Sequence, residues 1–543
     1  RATLKNKLYD PYVRFFWWAL DRLRDRDGIV CFVTNHSFCV DPIPFDGMRK
    51  RFEEEFTSIY HVDLHGNIRK NPKLSGTTHN VFGIQTGVGI TVAVRKSTES
   101  TLKIKYHRVP EIWKSDAKLS WLADSKSVGG VEWKPIKPDK NHDWVLAGNA
   151  TEYASFISVG TKVATLRQGK EKHTVSIFAR FGPGAKSNRD DVVYDFSAES
   201  LLSRVEAIGE AYNSEVDRYK RKGMGKRIDD FVDASKVRWS STLKLHLQRG
   251  NYVAFDSDNI RESMWRPFTK RFVYFDPILN DRLGVMRRAF PDATTEKENI
   301  VICCTSHSQI PFVVQISNRI MNEAPGGRAG TCFPFYVYDE DGSNRRENIT
   351  DWSREHFREH YKNKKIDKWA IFYYIYGVLH HPAYREKFAD NLKRELPRIP
   401  FAPDFYAFSN AGKKLAKLHL DYEKQKEWKL SFGETPRVPL SYRVEDKMRL
   451  NKDMTQLNVN PSLTLSGIPS EVFEYRLGNR SALDWVIDQY QVSTDKRSGI
   501  TSDPNRADDE KYIVRLIGQV IRVSFETVQI VKKLPTEFAG MPC

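Results

Sequence analysis

Along the first hundred residues the apolar positions switch between helical and strand spacing. Tyr12, Phe15, Phe16, Ala19, Leu20 and Leu23 recur three and four apart, the one-face pattern of an amphipathic helix. Asp10 is placed to accept an N–H of its first turn, Pro11 has the φ that turn needs, and Gly28 is the expected close. The run IVCFVTN at 29–35 predicts a buried strand. Phe45, Met48, Phe52 and Phe56 mark a second helix, SIYHVDL at 58–64 a second strand, and NVFGIQ with GITVAVRK (80–96) an antiparallel pair.

Further on, NITDWSREHFREHY predicts a helix with Thr350 as N-cap. Lys368–Leu379, Ala383–Leu396 and Ala407–Glu423 are helical by pattern, and residues 424–465 are polar and weakly periodic, a long connection with a strand or two. The stretch 511–535 mixes apolar and basic residues and is expected to pack back on the body. In the first hundred residues, helix, strand, helix, strand and hairpin is the order of the later half of a class I methyltransferase sheet. The fold class expected is α/β, a half-sheet of that kind followed by a mixed α+β domain.

Composition adds a partner class. The 543 residues suggest about three to four domains, and 40% hydrophobic residues are ample for packed cores. Lys and Arg exceed Asp and Glu by 17, an excess that suits a polyanion such as DNA as well as a generally basic protein. Cys31, Cys39, Cys303, Cys304, Cys332 and Cys543 show no metal-ligand spacing and no disulfide framework, so no metal site is expected. The longest apolar run, Trp369 to Leu379, falls short of the roughly 20 residues of a membrane span. With no signal peptide and Arg1 in first place, a cytoplasmic enzyme cut from a longer polypeptide is the expectation.

Three motifs imitate chemistry. Arg180–Ser187 looks like a phosphate loop, but Ala185 stands where Walker A needs glycine. PFYVYDED at 334–341 has the look of a Walker B strand without its partner motif. His380-His381-Pro382 ends an apolar helix with no third ligand in sight, which favours a structural role.

The stretch from Tyr374 to Glu423, with LYDPYVRFFWWALDRL near the start, SMWRPFTKRFVYFD at 263–276, CFPFYVYDEDGSNRRENITDW at 332–352 and EYRLGNRSALDWVIDQYQVSTDKRSGITSDPN at 474–505, resembles type ISP restriction-modification enzymes. These are single polypeptides with nuclease, translocase, adenine-N6 methyltransferase and target-recognition parts. The resemblance implies a C-terminal methyltransferase half over 1–180 and a DNA target-recognition domain over 181–543. It also implies double-stranded DNA as partner, together with the N-terminal methyltransferase half, the nuclease and the translocase of the same polypeptide.

By the same resemblance, IVCFVTNHSF is the strand and loop after the catalytic motif, and GTTHNVFGIQTGVGITVAVRK lies beside the flipped target base. Phe82 is then the candidate to stack on that base and Asn80 to hydrogen-bond near it; core packing of Phe82 and a turn role for Asn80 are the alternatives. The family's Asn/Asp-Pro-Pro-Tyr/Phe tetrapeptide is absent, and so is the Gly-rich loop with an acidic ribose ligand for S-adenosylmethionine. No catalytic residue is therefore expected here, and the chain alone is expected neither to methylate nor to hold the cofactor that the intact enzyme uses.

The candidate DNA contacts are Lys186, Asn188 and Arg189 in GAKSNRDDVVYDFS, where the family pattern has Thr in place of Ser187, then Arg266, Asn344 and Arg345. Arg and Asn pair bidentately with guanine and adenine, and Lys mostly holds phosphate. Each has a structural alternative: Arg189 paired with Asp190 or Asp191, Arg266 pinning its loop, Arg345 capping the following helix. The rival reading is a non-catalytic DNA specificity subunit acting with a separate methyltransferase.

Overall fold

The computed structural model describes residues 5–40, 44–66, 78–110, 113–139, 142–144, 150–161, 175–305, 310–496 and 498–535. The chain forms two compact units, Arg1–Ala150 and Thr151–Cys543. The functional boundary expected at 180/181 falls inside the second unit, where Ile157–Ser158 pairs with Arg398–Ile399.

In the first unit, α1 (Pro11–Leu23) starts as its sequence requires, with the Asp10 carboxylate accepting from Tyr12 N. It buries Tyr12, Val13, Phe16 and Ala19, and Phe15 is 58% exposed, so the buried stripe is narrower than the sequence pattern. The helix closes at Arg24, in a positive-φ conformation, and Gly28 instead opens β1 (Gly28–Asn35). After a short α2 (Ser37–Val40), α3 (Asp46–Glu55) buries Met48 and Phe52 between its flanking residues Phe45 and Phe56. β2 (Ser58–Asp63), β3 (Val88–Arg95), β4 (Lys103–Arg108) and β5 (Lys134–Ile136) complete a five-stranded sheet of order β1-β3-β2-β4-β5. β3 runs antiparallel to both β1 and β2, and β4 parallel to β2. Phe16, Phe38, Phe52 and Trp144 pack edge-on and stacked in the core between helices and sheet.

Two strand expectations change. NVFGIQ is not a strand: residues 80–85 form turns, because the Asn80 side chain takes the backbone bonds a ladder would need. β3 pairs instead with β1 and β2. The strand at 29–35 is not buried, since β1 lies at the end of the sheet order with Ile29 and Val33 exposed and Val30 buried.

The second unit is mixed α and β. A four-stranded sheet joins Ile320–Met321, Ile260–Arg266, Thr269–Tyr274 and Tyr194–Asp195, and a three-stranded sheet joins Val314–Ser317, Val301–Thr305 and Gly330–Pro334. Thr350 caps Asp351–His360 as expected. Lys368–His380 packs on Phe405–Leu420 at a glycine contact, where a Cβ on Gly412 would overlap the Tyr373 carbonyl and one on Gly377 the Phe408 carbonyl. The region expected as one helix at 383–396 is two, Pro382–Lys387 and Ala389–Arg394. In place of the expected long connection with a strand or two, residues 431–466 build a four-stranded sheet. The tail forms Tyr512–Lys532, buried along Ile513, Leu516, Ile517, Val520 and Ile521.

Candidate nucleic-acid interface

In the first unit a stiff loop presents two apolar side chains. Asn80 is 2% exposed; its Nδ2 donates to Gly66 O (3.2 Å) and Thr86 O (2.7 Å), and its Oδ1 accepts from Phe82 N (2.9 Å) and Ile84 N (3.4 Å). Its hydrogen-bonding capacity goes into the turn. Phe82, 61% exposed, and Ile84, 46% exposed, stand at the tip beside Gly83 at φ +66°.

The root of that loop is a buried carboxylate. Asp63, at the end of β2, accepts from His36 Nδ1 (2.6 Å), His65 N (2.9 Å), Tyr106 OH (2.7 Å) and Arg108 Nε (3.2 Å). Burial alone would raise its pKa, but His36, His65 and Arg108 hold it well below the usual carboxylate range. Gly66, three residues on at φ +81°, has no room for a Cβ because Asn80 presses on it, and Gly87 and Gly89 lie just as closely on the His36 and His61 rings. Thus Asp63, His65, Gly66, Asn80 and Phe82 form a continuous chain of contacts. The C-terminal ends of β1 and β2, where His36 and Asp63 sit, are where open α/β sheets bind ligands.

In the second unit Lys186 and Asn188 line a cleft of about 650 Å³ with Arg238, Lys244, Arg282 and the start of helix Ser241–Gln248. Backbone bonds between Lys186 and Arg282 (2.7 and 3.0 Å) fix two of these residues side by side. Asp281 is the hub: it accepts from Asn188 Nδ2 (2.5 Å), Ser240 Oγ (2.5 Å) and Arg189 Nη2 (3.1 Å). Arg189 is 2% exposed and also donates to Leu279 O (2.5 Å). It lies under the cleft and holds Asp281, not the adjacent Asp190 or Asp191; Asp191 pairs with Arg238. Lys186 pairs with Glu323 at 3.1 Å and Lys244 with Asp229 at 2.6 Å, leaving both half-open to water. Partly solvated pairs of this kind hold the lysines loosely, so a phosphate can compete for them.

Arg266 is near this group but turned inward. It donates to Trp265 O (2.7 Å) and Asn322 Oδ1 (2.9 Å) and lies over the Trp265 ring, which pins its loop. Asn344 and Arg345 belong to a second cluster: Asn344, at φ +53°, donates to Asp339 (2.8 Å), and Arg345 pairs with Glu298 (2.5 Å) above the Tyr336 ring. Arg346 and Arg288 share Asp339. Arg345 therefore does not cap the helix beginning at Asp351.

Arg238, Lys244 and Arg282 escaped the sequence reading. The signal available was KVRWSSTLKLH at 236–246, basic residues on both sides of a Ser helix cap. Among the described residues no group of three or more His, Cys, Asp or Glu could hold a metal. His381 caps the helix Pro382–Lys387, and burial pushes the His380 pKa down to about 3.

The description of the family model matching residues 176–516 is Type ISP C-terminal specificity domain. No curated protein matches the chain. Among solved structures it is similar to a nuclease-deletion mutant of the Type ISP restriction-modification enzyme LlaGI in complex with a DNA substrate mimic, at 32% identity and a TM-score of 0.79, covering 99% of this chain and 49% of that one. It is similar to DrdV in a DNA complex (32% identity, TM-score 0.79, 99% of this chain and 53% of that). It is also similar to the ATP-dependent Type ISP restriction-modification enzyme LlaBIII bound to DNA (30%, TM-score 0.78, 99% and 34%). The chain spans about half or less of each relative's length. With a family model over most of its length and relatives at 30% identity or more matched over 99% of it, this chain belongs to the type ISP restriction-modification family and carries its C-terminal specificity domain.

Proposed function

We propose that this chain reads duplex DNA so that a longer type ISP polypeptide can methylate adenine N6 at a chosen sequence. The observation that carries it is the match of 99% of the chain to enzymes solved with DNA, together with the basic cleft at Lys186, Arg238, Lys244 and Arg282. In this reading the cleft tracks phosphates, and Asn188, set at φ +56° on the buried Arg189–Asp281 support, reads a base edge at its rim. Its amide leaves Asp281 for the base, while Arg189 keeps Asp281 in place. The reading parts of the second cluster are Asn344 and Arg345.

The first unit serves the target base. Its antiparallel β3 between β1 and β2 supports reading this sheet as the later half of a class I methyltransferase sheet. An extruded adenine costs a few kcal/mol of stacking, and an aromatic face returns about 1–3 kcal/mol; Phe82 offers such a face. Asn80 stiffens the turn beneath it. S-adenosylmethionine supplies the methyl group in this chemistry, but the residues here do not fit it, because no Gly-rich strand-to-helix loop and no Asn-Pro-Pro-Tyr tetrapeptide occur in the sequence. No step through the donor is assigned to this chain. A cytoplasmic setting goes with the reading.

A separate specificity subunit is not favoured, since LlaGI and LlaBIII are themselves restriction-modification enzymes that contain the whole of the matched region. The test is methylation by the intact polypeptide mapped by sequencing. Asn188→Ala is expected to relax one position of the recognised site, and Phe82→Ala to slow transfer at an unchanged site. Unaltered specificity in Asn188→Ala, Asn344→Ala and Arg345→Ala alike would remove these residues from the readout.

A further inference from the structure

The second unit holds another cavity, of about 410 Å³, that shares no lining residue with the basic cleft. Phe312, Val528 and Val531 make its apolar walls, His380 is its buried polar group, and Arg385 stands half-buried beside it. Its size falls within the range of small-molecule sites, roughly 300–1,000 Å³.

Two features of the lining call for a ligand. The Arg385 guanidinium donates through Nη2 to Phe312 O (2.6 Å) and Arg476 O (3.2 Å), and no carboxylate pairs with it among the described residues. Burial lowers its pKa, and the Tyr475 phenol opposes that shift. A half-buried guanidinium with no carboxylate partner, open on its cavity side, is suited to receive an anion entering the cavity. His380, 3% exposed, donates its Nδ1 hydrogen to Tyr376 O (2.8 Å). The neutral ring therefore keeps a lone pair on Nε2, and that atom is buried with no partner among the described residues. At the rim Glu474 and Lys532 pair with each other (2.8 Å) and Lys393 pairs with Asp390 (3.2 Å), which leaves Arg476 facing Glu386.

We propose that this cavity binds a small aromatic anion, with its ring between Phe312 and the Val528–Val531 face, its carboxylate on Arg385, and an N–H or O–H directed at His380 Nε2. Binding is non-covalent and independent of the DNA reading. Because the cavity joins the C-terminal helix to the start of helix Pro382–Lys387, occupancy ties two elements of the specificity domain together.

The test is calorimetric titration of the 543-residue chain with indole-3-acetate, its uncharged isostere indole-3-acetamide, and 1-naphthaleneacetate, which keeps the charge and lacks the N–H. Indole-3-acetate is expected to bind saturably, the amide about tenfold more weakly and the naphthalene acid several-fold more weakly. Arg385→Gln should bring the acid down to the level of the amide. Since Arg385 also holds two carbonyls, Val531→Trp is the second variant: it fills the cavity, leaves Arg385 in place, and should abolish binding with the melting temperature retained. Equal binding of acid and amide, undiminished binding in Val531→Trp, or no saturable binding of indole-3-acetate would overturn the proposal.

Discussion

Phe82 and Asp63 stand at the two ends of one chain of contacts, and their substitutions should separate function from stability. Phe82 is mostly in water, so Phe82→Ala is expected to change unfolding free energy by no more than about 0.5 kcal/mol while slowing methyl transfer by the intact enzyme. Asp63→Ala strips a buried carboxylate from His36, Tyr106, Arg108 and a backbone N–H, and should destabilise the first unit by about 3–5 kcal/mol, measured by denaturant unfolding. The same contrast divides Lys186 from Arg189. Lys186→Ala should leave stability nearly unchanged and weaken binding to all DNA sequences alike. Arg189→Ala leaves Asp281 buried without its cation and should cost several kcal/mol in folding. Arg189 thus acts on DNA only through the position of Asp281 and Asn188, and a stable Arg189→Ala protein would contradict that placement.

Elements meet where side chains are missing or uncharged. The helices Lys368–His380 and Phe405–Leu420 approach through Gly377 and Gly412, so Gly412→Ala must push the Tyr373 carbonyl away and is expected to lose about 1–3 kcal/mol in a denaturant titration, despite alanine's better helix propensity. Buried histidines set the acid limit. Burial lowers the His61 pKa from 6.5 to about 4 and that of His380 to about 3, so between those values and 6.5 the unfolded chain binds the extra protons. Stability from each is complete above pH 6.5 and is lost as pH falls, by about 2 kcal/mol per histidine at pH 5. The depressed pKa of Asp63 adds a further loss below about pH 4. Unfolding curves at pH 7.5 and 5 should show this, with His61→Gln flattening the change for the first unit; equal stability at both values would rule it out.

At the scale of the molecule, an excess of 17 basic residues becomes useful where it is concentrated. Lys186, Arg238, Lys244 and Arg282 line one cleft, and four phosphates neutralised there would give a log–log salt slope near −3.6 and a loss of about 10²-fold in DNA affinity between 50 and 200 mM salt. Removing Lys244 or Arg282 should make the slope shallower by about one. Fluorescence anisotropy with duplex DNA measures both, and an affinity indifferent to salt would exclude the cleft as a phosphate track. Among the described residues no helix is long and apolar enough to cross a membrane, which agrees with the short apolar runs of the sequence.

The sequence alone determined what depends on neighbours in the chain. Asp10-Pro11 starts α1, Thr350 caps its helix, the spacing of Phe45, Met48, Phe52 and Phe56 places α3, and the long motif blocks identify the family, because capping and amphipathic spacing are local properties and sequence blocks need no geometry. Only the tertiary structure decided which strands pair and which charges are buried or open to solvent. β3 lies between β1 and β2, although the chain offers NVFGIQ as its nearer partner, because Asn80 spends its hydrogen bonds on a turn. Arg189 and Lys186 are near neighbours in sequence, yet one is buried on Asp281 and the other opens to solvent, because segments some ninety residues away supply both the cover and the counter-charge. Burial and ion pairing are set by contacts between distant segments, and those contacts exist only after folding.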